Sequence, residues 1–212
     1  MLSSHVGRRR LAPGDRRAEI LVAALDLFAQ RPADQVSVED VAAAAHASAA
    51  TVYHYFGPKP QLVQQVLRAT ADELIEQLDV APDAPPALRL AASLSTYLDY
   101  LAAHPKSWSA LLRAGHSADD PTAAIAESVD AHALAMSLDA VFPEDDPPAV
   151  LVLALRGWLA FVKDVCWRWL EHGTVDRGQV EVLLAMGYVG CLQAAAAADP
   201  AASSALERFT SA

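Results

Sequence analysis

The chain has 212 residues, 53% hydrophobic and 20% charged, which is long enough and apolar enough to bury a sizeable core and excludes a disordered protein. Its formal net charge of −10 would argue against a nucleic-acid partner if the charge were evenly spread, but it is not. Residues 1–70 hold eight Lys/Arg and six Asp/Glu, whereas residues 71–212 hold eight Lys/Arg and twenty Asp/Glu. Two cysteines without metal-ligand spacing indicate neither a disulfide framework nor a metal site and fit a reducing cytoplasm, where we expect the chain to act.

The composition predicts an all-α protein, because alanine is abundant and no segment alternates in the manner of β-strands. Residues 1–14 contain Arg8, Arg9 and Arg10 without a following apolar segment, which predicts a disordered arm rather than a signal peptide. After this arm, apolar periodicity and breaks at proline and glycine predict about nine helices, near residues 15–31, 38–45, 49–55, 60–78, 86–103, 105–115, 121–140, 147–172 and 177–198.

The second and third predicted helices have the layout of a helix-turn-helix. Ser37 followed by Asp40 is a capping-box pair at the start of the first of them, and Ser48 can cap the second. Only a three-residue turn that begins at His46 separates the two helices, and small alanines occupy the positions where they cross.

Four rings, counting His54, occupy consecutive positions from Tyr53 to Phe56. Adjacent helical positions point about 100° apart, so one core cannot bury all four rings. Val52 and Phe56 are four residues apart and can pack inward together. Thr51 and the remaining rings then face outward, where hydroxyls and rings suit contacts with phosphates and base edges.

The segment from Ser37 to Leu62, SVEDVAAAAHASAATVYHYFGPKPQL, resembles the DNA-binding signature of the TetR family of bacterial transcriptional regulators. The resemblance covers residues 15–65 strongly and the remainder only in helix number and length. It implies a three-helix DNA-binding domain over residues 15–59 and a helical ligand-binding and dimerisation domain over residues 60–212. It also implies a protein that is not an enzyme and uses no cofactor.

The resemblance further implies which side chains meet double-stranded DNA. The expected DNA-binding residues are Ser37, Ser48, Ala49, Ala50, Thr51, Tyr53, His54, Tyr55 and Lys59. Two positions depart from the family pattern. His46 stands where the turn usually has glycine, and Pro60 should push Lys59 toward an extended conformation. The Arg8–Arg10 cluster can lie in the minor groove or remain a solvated tail.

The last two predicted helices, 147–172 and 177–198, indicate a homodimer. The first has only a narrow polar stripe, and the second brings Gly187 and Gly190 to one side, where another helix can approach closely. A four-helix interface between two copies would cover this apolar surface, and the resemblance implies such a dimer on a palindromic operator. The uncharged stretch 182–198 falls short of the roughly 20 strongly apolar residues of a membrane span, so we expect no membrane association.

Large rings with a few polar groups in the middle helices predict a pocket for a small, largely apolar effector. The candidate residues are Tyr97, Tyr100, Trp108, His116, Met136, Trp158 and Phe161, of which Trp158 and Phe161 share a face. Ordinary core packing is the alternative for each residue taken singly. The resemblance implies that the effector shifts the helix at 60–78 and releases the DNA, with repression as the usual mode.

Two other classes of function remain open from the sequence. An enzyme would need His104, His116 or His132 to meet Asp99, Asp119 or Asp120, but no metal-ligand spacing or nucleophile–base pair recurs. A TetR-like helical module that binds a ligand or a protein without binding an operator is the second alternative, because of His46 and the prolines on either side of Lys59.

Overall fold

The computed structural model describes residues 13–78, 83–105, 123–144 and 146–211. Within these residues the chain forms α-helices and two 3-10 helices and no β-strand, which confirms the predicted all-α class. The α-helices are α1 Pro13–Gln30, α2 Val38–Ala44, α3 Ala49–Phe56, α4 Lys59–Leu78, α5 Pro86–Ala103, α6 Ala123–Val141, α7 Ala149–His172, α8 Arg177–Ala198 and α9 Ser203–Thr210. The 3-10 helices are Ala33–Gln35 and Pro200–Ala202.

Two predicted segments cannot be compared with the structure, and one helix was not predicted. The predicted helix at 105–115 and the Arg8–Arg10 arm lie outside the described residues. Helix α9, near the end of the chain, was missed because it is only eight residues long and follows the Asp199-Pro200 break. It forms through packing, with Phe209 buried and its ring 5.3 Å from that of Tyr188 in α8.

The chain divides into two compact units between Val66 and Leu67, within α4. The sequence predicts the boundary at residues 59 and 60, where α4 begins. The division falls later because Leu62 and Val66, in the first two turns of α4, are fully buried in the hydrophobic core of the first unit.

The first unit consists of α1, α2, α3 and the start of α4 around one apolar core. Its buried residues are Ile20, Ala24, Phe28, Val36, Val38, Val41, Ala42, Ala45, Val52, Phe56, Leu62 and Val66. The predicted capping box at α2 is confirmed. The Ser37 backbone N–H donates to Asp40 Oδ2 at 2.9 Å, and the Asp40 N–H donates to Ser37 Oγ at 3.0 Å. These hydrogen bonds, the backbone one foremost, lower the pKa of Asp40 and keep the carboxylate ionised.

The turn between α2 and α3 places His46 in the left-handed region, with φ of 49°. A side chain with a Cβ pays about 1–2 kcal/mol for this conformation, which glycine adopts freely. We therefore expect His46→Gly to raise the free energy of unfolding by about 1 kcal/mol, measured by denaturant titration. Ala47→Gly in the same turn is the matched control and should lower it, because Ala47 does not have positive φ. Destabilisation by both variants would contradict a strained turn.

The second unit is built from α5 to α9 and the larger part of α4. Helices α7 and α8 pack along each other, and α5, α6 and α9 cover part of this pair. Gly187 makes the close approach of α7 and α8 possible. A Cβ at that position would lie 3.0 Å from Phe161 Cε1 and 3.5 Å from Trp158 Cδ1. The predicted close approach is thus confirmed within the protomer at Gly187 but not at Gly190, where a Cβ would meet no atom within 4 Å.

Candidate nucleic-acid interface and ligand cavity

Helix α3 has one buried side and one solvent-facing side. Val52 and Phe56 are buried in the core of the first unit, as their four-residue spacing predicts. Tyr53 is 48% exposed, and His54 and Ala50 are also exposed. A helix in which a large ring stands in water next to a histidine offers a surface with both apolar area and hydrogen-bonding groups.

The start of α3 is held by its cap. Ser48 Oγ accepts a hydrogen bond from the Thr51 backbone N–H at 3.1 Å, and the two side-chain hydroxyls lie 2.8 Å apart. Because one of these hydroxyls donates to the other, the pair keeps one hydroxyl proton for an external acceptor. The first N–H groups of a helix, here those of Ala49 and Ala50, also lack partners within the helix and favour an anion.

Tyr55 is less exposed than the sequence predicts. Its side chain is half-buried and packs against the core of the first unit, while its ring meets that of His54 edge to face with centroids 5.1 Å apart. Ala49 is also half-buried against this core. The exposed groups of α3 are therefore centred on Ala50, Tyr53 and His54.

Cationic side chains lie beside the C-terminal end of α3. Lys59 Nζ donates to the backbone oxygen of Asp34 at 3.1 Å, and the Arg17 guanidinium lies 5.1 Å from the centre of the Phe56 ring. The predicted extended conformation of Lys59 is wrong, because Lys59 is the first residue of α4. Pro60 fits the first turn of a helix, where its missing N–H costs nothing, so the helix forms in spite of the proline.

The second unit contains a cavity between α5, α6, α7 and α8. The cavity volume is about 100 Å³, far more than the roughly 10–15 Å³ that one water needs. Most of the lining is apolar, and the lining residues are Leu78, Pro86, Arg89, Leu90, Ser93, Leu94, Tyr97, Val129, Asp130, Ala133, Met136, Ser137, Ala140, Trp158, Leu159, Val162, Lys163 and Tyr188.

Three of the predicted ligand-binding residues, Tyr97, Met136 and Trp158, line this cavity. Burial is the main cause of a raised pKa at Tyr97, so its hydroxyl remains protonated and can serve as a donor or an acceptor. Trp158 uses its indole N–H within the protein, donating to the backbone oxygen of Leu184 at 3.0 Å. This bond orients the Trp158 ring, which meets the Tyr188 ring edge to face at 4.9 Å.

Two other predicted ligand-binding residues, Tyr100 and Phe161, do not line the cavity. The hydroxyl of buried Tyr100 is 3.0 Å from the Thr70 backbone oxygen and 2.8 Å from Glu73 Oε2. Burial, then Glu73, raise the pKa of Tyr100. Phe161 is exposed on α7 beside Gly187 and does not line the cavity. Trp108 and His116 lie outside the described residues.

Charged residues on the cavity wall were not predicted. Arg89 of α5 pairs with Asp139 of α6 at 3.2 Å, and Lys163 of α7 pairs with Asp130 of α6 at 2.5 Å. No single-sequence signal distinguishes a charge that closes a cavity from a charge on an outer surface.

Helices α7 and α8 also present an apolar face to solvent. Large exposed apolar side chains on them are Leu153, Phe161, Val182, Leu183 and Met186. Gly157 of α7 and Gly190 of α8 leave open space beside this face, since a Cβ at either position would meet no atom within 4 Å. An exposed apolar surface of this kind marks an interaction site.

The length and composition of α8 alone would allow it to cross a membrane, since its most apolar stretch of 18 residues has a mean hydropathy of 1.6. One such helix among the described residues is weak evidence, because core helices of soluble proteins pass the same test. Only 28% of that stretch is buried within the protomer. The helix therefore has apolar surface left to cover, which a second protein chain can do as well as lipid.

The histidines of the enzyme alternative do not form a reactive cluster with the aspartates in the described part of the chain. His104 Nδ1 lies 3.1 Å from the backbone oxygen of Tyr100, and Asp99 pairs with Arg177 at 2.8 Å. His132 Nε2 is buried without a hydrogen-bond partner among the described residues. Within the same residues, no group of three or more His, Cys, Asp or Glu could hold a metal ion.

A capped short helix, a tight turn and a second helix with an exposed aromatic face define a helix-turn-helix DNA-binding protein. Residues 20–66 match the bacterial regulatory proteins of the tetR family, and residues 86–189 match the tetracyclin repressor-like C-terminal domain. The chain belongs to the TetR family of transcriptional regulators, whose members bind DNA and dimerise.

Solved and curated relatives agree with this assignment. A TetR-family transcriptional regulator from Streptomyces coelicolor is 29% identical, with a TM-score of 0.87 over 95% of this chain and 90% of that one. A TetR transcriptional regulator from Rhodococcus sp. RHA1, 22% identical, shares the fold with a TM-score of 0.63 over 86% of this chain and 97% of that one. The HTH-type transcriptional repressor KstR2 of Rhodococcus jostii (strain RHA1) is 39% identical over 59 residues, 28% of this chain and 29% of that protein. This last match spans less than a third of the length of the curated relative.

Proposed function

We propose that the chain is a transcriptional repressor that binds a palindromic operator as a dimer in the cytoplasm and releases it when a small, largely apolar ligand binds. The observation that carries this proposal is the solvent-facing side of α3, where Tyr53 and His54 stand in water while Val52 and Phe56 anchor the helix in the core. A short helix held in this way can enter the major groove without unfolding the unit that carries it.

The contacts of the nine predicted residues follow from this placement. Ala50, Tyr53 and His54 face the groove, with Thr51 and Ser48 at the helix start contributing a hydroxyl and Ala49 a backbone N–H. Tyr55 contacts DNA only with the part of its ring that the core leaves exposed. Ser37 and Lys59 bind phosphates, since Ser37 Oγ uses only its acceptor side in the capping box and Lys59 has donors beyond the one given to Asp34.

The dimer forms through α7 and α8, the last two helices predicted from the sequence. Their exposed apolar side chains lie next to glycines that leave room for a second pair of helices. Each Å² of apolar surface that the interface removes from water contributes about 25 cal/mol, which makes such an association favourable. Twofold symmetry then presents two copies of α3 to two half-sites of a palindrome.

The ligand acts through the cavity of the second unit and helix α4. Leu78, the last residue of α4, lines the cavity, and its backbone oxygen accepts a hydrogen bond from Ser93 Oγ at 3.1 Å. A ligand that displaces Leu78 shifts a helix whose first two turns belong to the core of the DNA-binding unit. Such a ligand weakens DNA binding if it prefers the displaced position by about 1–3 kcal/mol.

Anisotropy titration of labelled DNA tests the proposed function. The probes are palindromic fragments from upstream of the protein's own gene and scrambled fragments of equal length and base composition. We expect one dimer to bind a palindrome at least about 1,000-fold more tightly than its scrambled control, with log K falling linearly as log salt rises. Equal, weak binding of both fragments at every salt concentration would contradict operator recognition and favour the helical ligand- or protein-binding module.

A further inference from the structure

The two ion pairs on the cavity wall differ in how their partners are buried. The Arg89 side chain is 14% exposed, whereas its partner Asp139 is 69% exposed. The side chains of Lys163 and Asp130 are 22% and 30% exposed. Lys163 and Asp130 therefore depend on each other for compensation of charge, but Asp139 can be solvated by water without Arg89.

This difference makes Arg89 the group that can accept an anion. A mostly buried guanidinium needs a counter-charge, and it has five N–H donors, of which Nη1 meets Asp139. An anion in the cavity can join or replace Asp139 at little cost, because the displaced carboxylate returns to water. An anion that took Lys163 would instead leave Asp130 partly buried without its partner, which is costly.

Neutral hydroxyls accompany Arg89 on the wall. Ser137 and Tyr188 both line the cavity. Burial raises the pKa of Tyr188, whereas the Ser137 hydroxyl and the positive charge of Arg89 lower it. Such an effect is expected of groups that lie near the Tyr188 oxygen. The Arg89 end of the cavity thus offers one cation and two hydroxyls, a set suited to the two oxygens of a carboxylate.

The cavity has two polar ends, one at Arg89 and the other at the Lys163–Asp130 pair, and an apolar middle separates them. Arg89 and Tyr97 are eight residues apart on α5, about 12 Å along the helix at 1.5 Å per residue. Asp130 of α6 pairs with Lys163, and Ser137 lies seven residues further along the same helix. The lining between these ends is apolar and includes Leu90, Leu94, Ala133, Met136, Trp158 and Leu159.

We propose that the effector is an apolar carboxylic acid whose carboxylate binds Arg89 beside Ser137 and Tyr188, and whose hydrocarbon body extends toward the Lys163–Asp130 pair. This assignment rests on the proposed ligand-binding role of the second unit and names the chemical class of the ligand. The shape of the site favours a planar two-oxygen anion, because a guanidinium binds a carboxylate through two parallel hydrogen bonds.

Calorimetric titration of the purified dimer with three ligands of equal chain length tests the class. The probes are decanoate, decanol and decylamine, each kept below the concentration at which it aggregates. Decanoate should bind at least about tenfold more tightly than decanol, which corresponds to one charge-assisted hydrogen bond. Decylamine should bind no more tightly than decanol. Absence of decanoate binding, or equal affinity for decanoate and decanol, would overturn the assignment.

Two variants separate an anion site from a structural ion pair. Arg89→Met keeps an unbranched side chain but removes the guanidinium, and it should remove the preference for decanoate over decanol. Asp139→Asn removes the exposed competitor and should strengthen decanoate binding about threefold, without changing decanol binding. Weaker decanoate binding by Asp139→Asn would overturn the assignment, as would an intact acid preference in Arg89→Met. Because Asp139 is exposed, its variant tests the assignment even if Arg89→Met fails to fold.

Operator binding is measured separately on the same preparations. A protein that binds its operator and shows no acid preference contradicts only the ligand class. A protein that shows the acid preference and binds no operator contradicts only the proposed function.

Discussion

Tyr53→Ala should weaken operator binding by about 1–3 kcal/mol at each half-site while leaving the fold unchanged. The Tyr53 ring stands in water on the exposed side of α3, so its loss opens no cavity in the core. Substitutions at exposed positions change the free energy of unfolding by about 0.5 kcal/mol or less. Anisotropy titration for binding and denaturant titration for stability measure the two quantities on one preparation.

Neighbouring positions supply matched controls for Tyr53→Ala. Tyr53→Phe separates the contribution of the hydroxyl to DNA binding from that of the ring, and it should retain binding if the ring alone makes the contact. Tyr55→Ala removes a ring of the same type that packs against the core, and it should destabilise the first unit by about 1 kcal/mol or more. Unfolding of the DNA-binding unit by Tyr53→Ala would show that this ring belongs to the core and would contradict the outward assignment.

Met186→Asp should convert the dimer into monomers and reduce operator affinity by about 100-fold or more. Met186 is 62% exposed in the middle of the apolar face of α8. In the proposed interface the substitution buries an unpaired carboxylate twice, once from each protomer, and each burial costs several kcal/mol. Sedimentation equilibrium gives the oligomeric state, and anisotropy titration gives the operator affinity.

Leu88→Asp on α5 is the control for Met186→Asp, because Leu88 is also 62% exposed but belongs to a helix outside the proposed interface of α7 and α8. It should leave the dimer intact. Dissociation by Leu88→Asp with no effect of Met186→Asp would place the interface elsewhere on the second unit.

The sequence was most informative where short-range rules act alone. The α3 helix and its inward pair Val52 and Phe56 followed from a serine cap and a four-residue spacing. The capping box of Ser37 and Asp40 followed from the same kind of local rule. These predictions need no knowledge of distant parts of the chain, since the interacting groups are three or four residues apart.

Predictions that depend on packing between helices were weaker. Tyr55 is half-buried because the core of the first unit reaches its side of α3, which periodicity within α3 does not reveal. Lys59 is helical because Pro60 occupies a first-turn position, although the rule for residues before proline predicts otherwise. Helix α9 depends on the contact of Phe209 with Tyr188, about twenty residues earlier in the chain.

The cavity shows the same division between local and distant information. Large side chains in the middle helices favour a pocket and predict Tyr97, Met136 and Trp158 as ligand-binding residues, and all three line the cavity. Phe161, only three residues from Trp158, lies beside Gly187 of α8, remains partly exposed and does not line the cavity. Arg89 lines the wall and pairs with Asp139, fifty residues away, which no local pattern in the sequence reveals.

Protection of guanine N7 atoms from methylation tests the central claim most directly, because N7 is exposed in the major groove and the proposal puts α3 there. On a bound palindrome we expect two protected groups of guanines, one in each half-site, with centres about one helical turn or roughly 34 Å apart. Tyr53→Ala should lose both groups at the protein concentration that saturates the unchanged chain. Binding without any N7 protection in the half-sites would contradict the claim that α3 contacts DNA in the major groove.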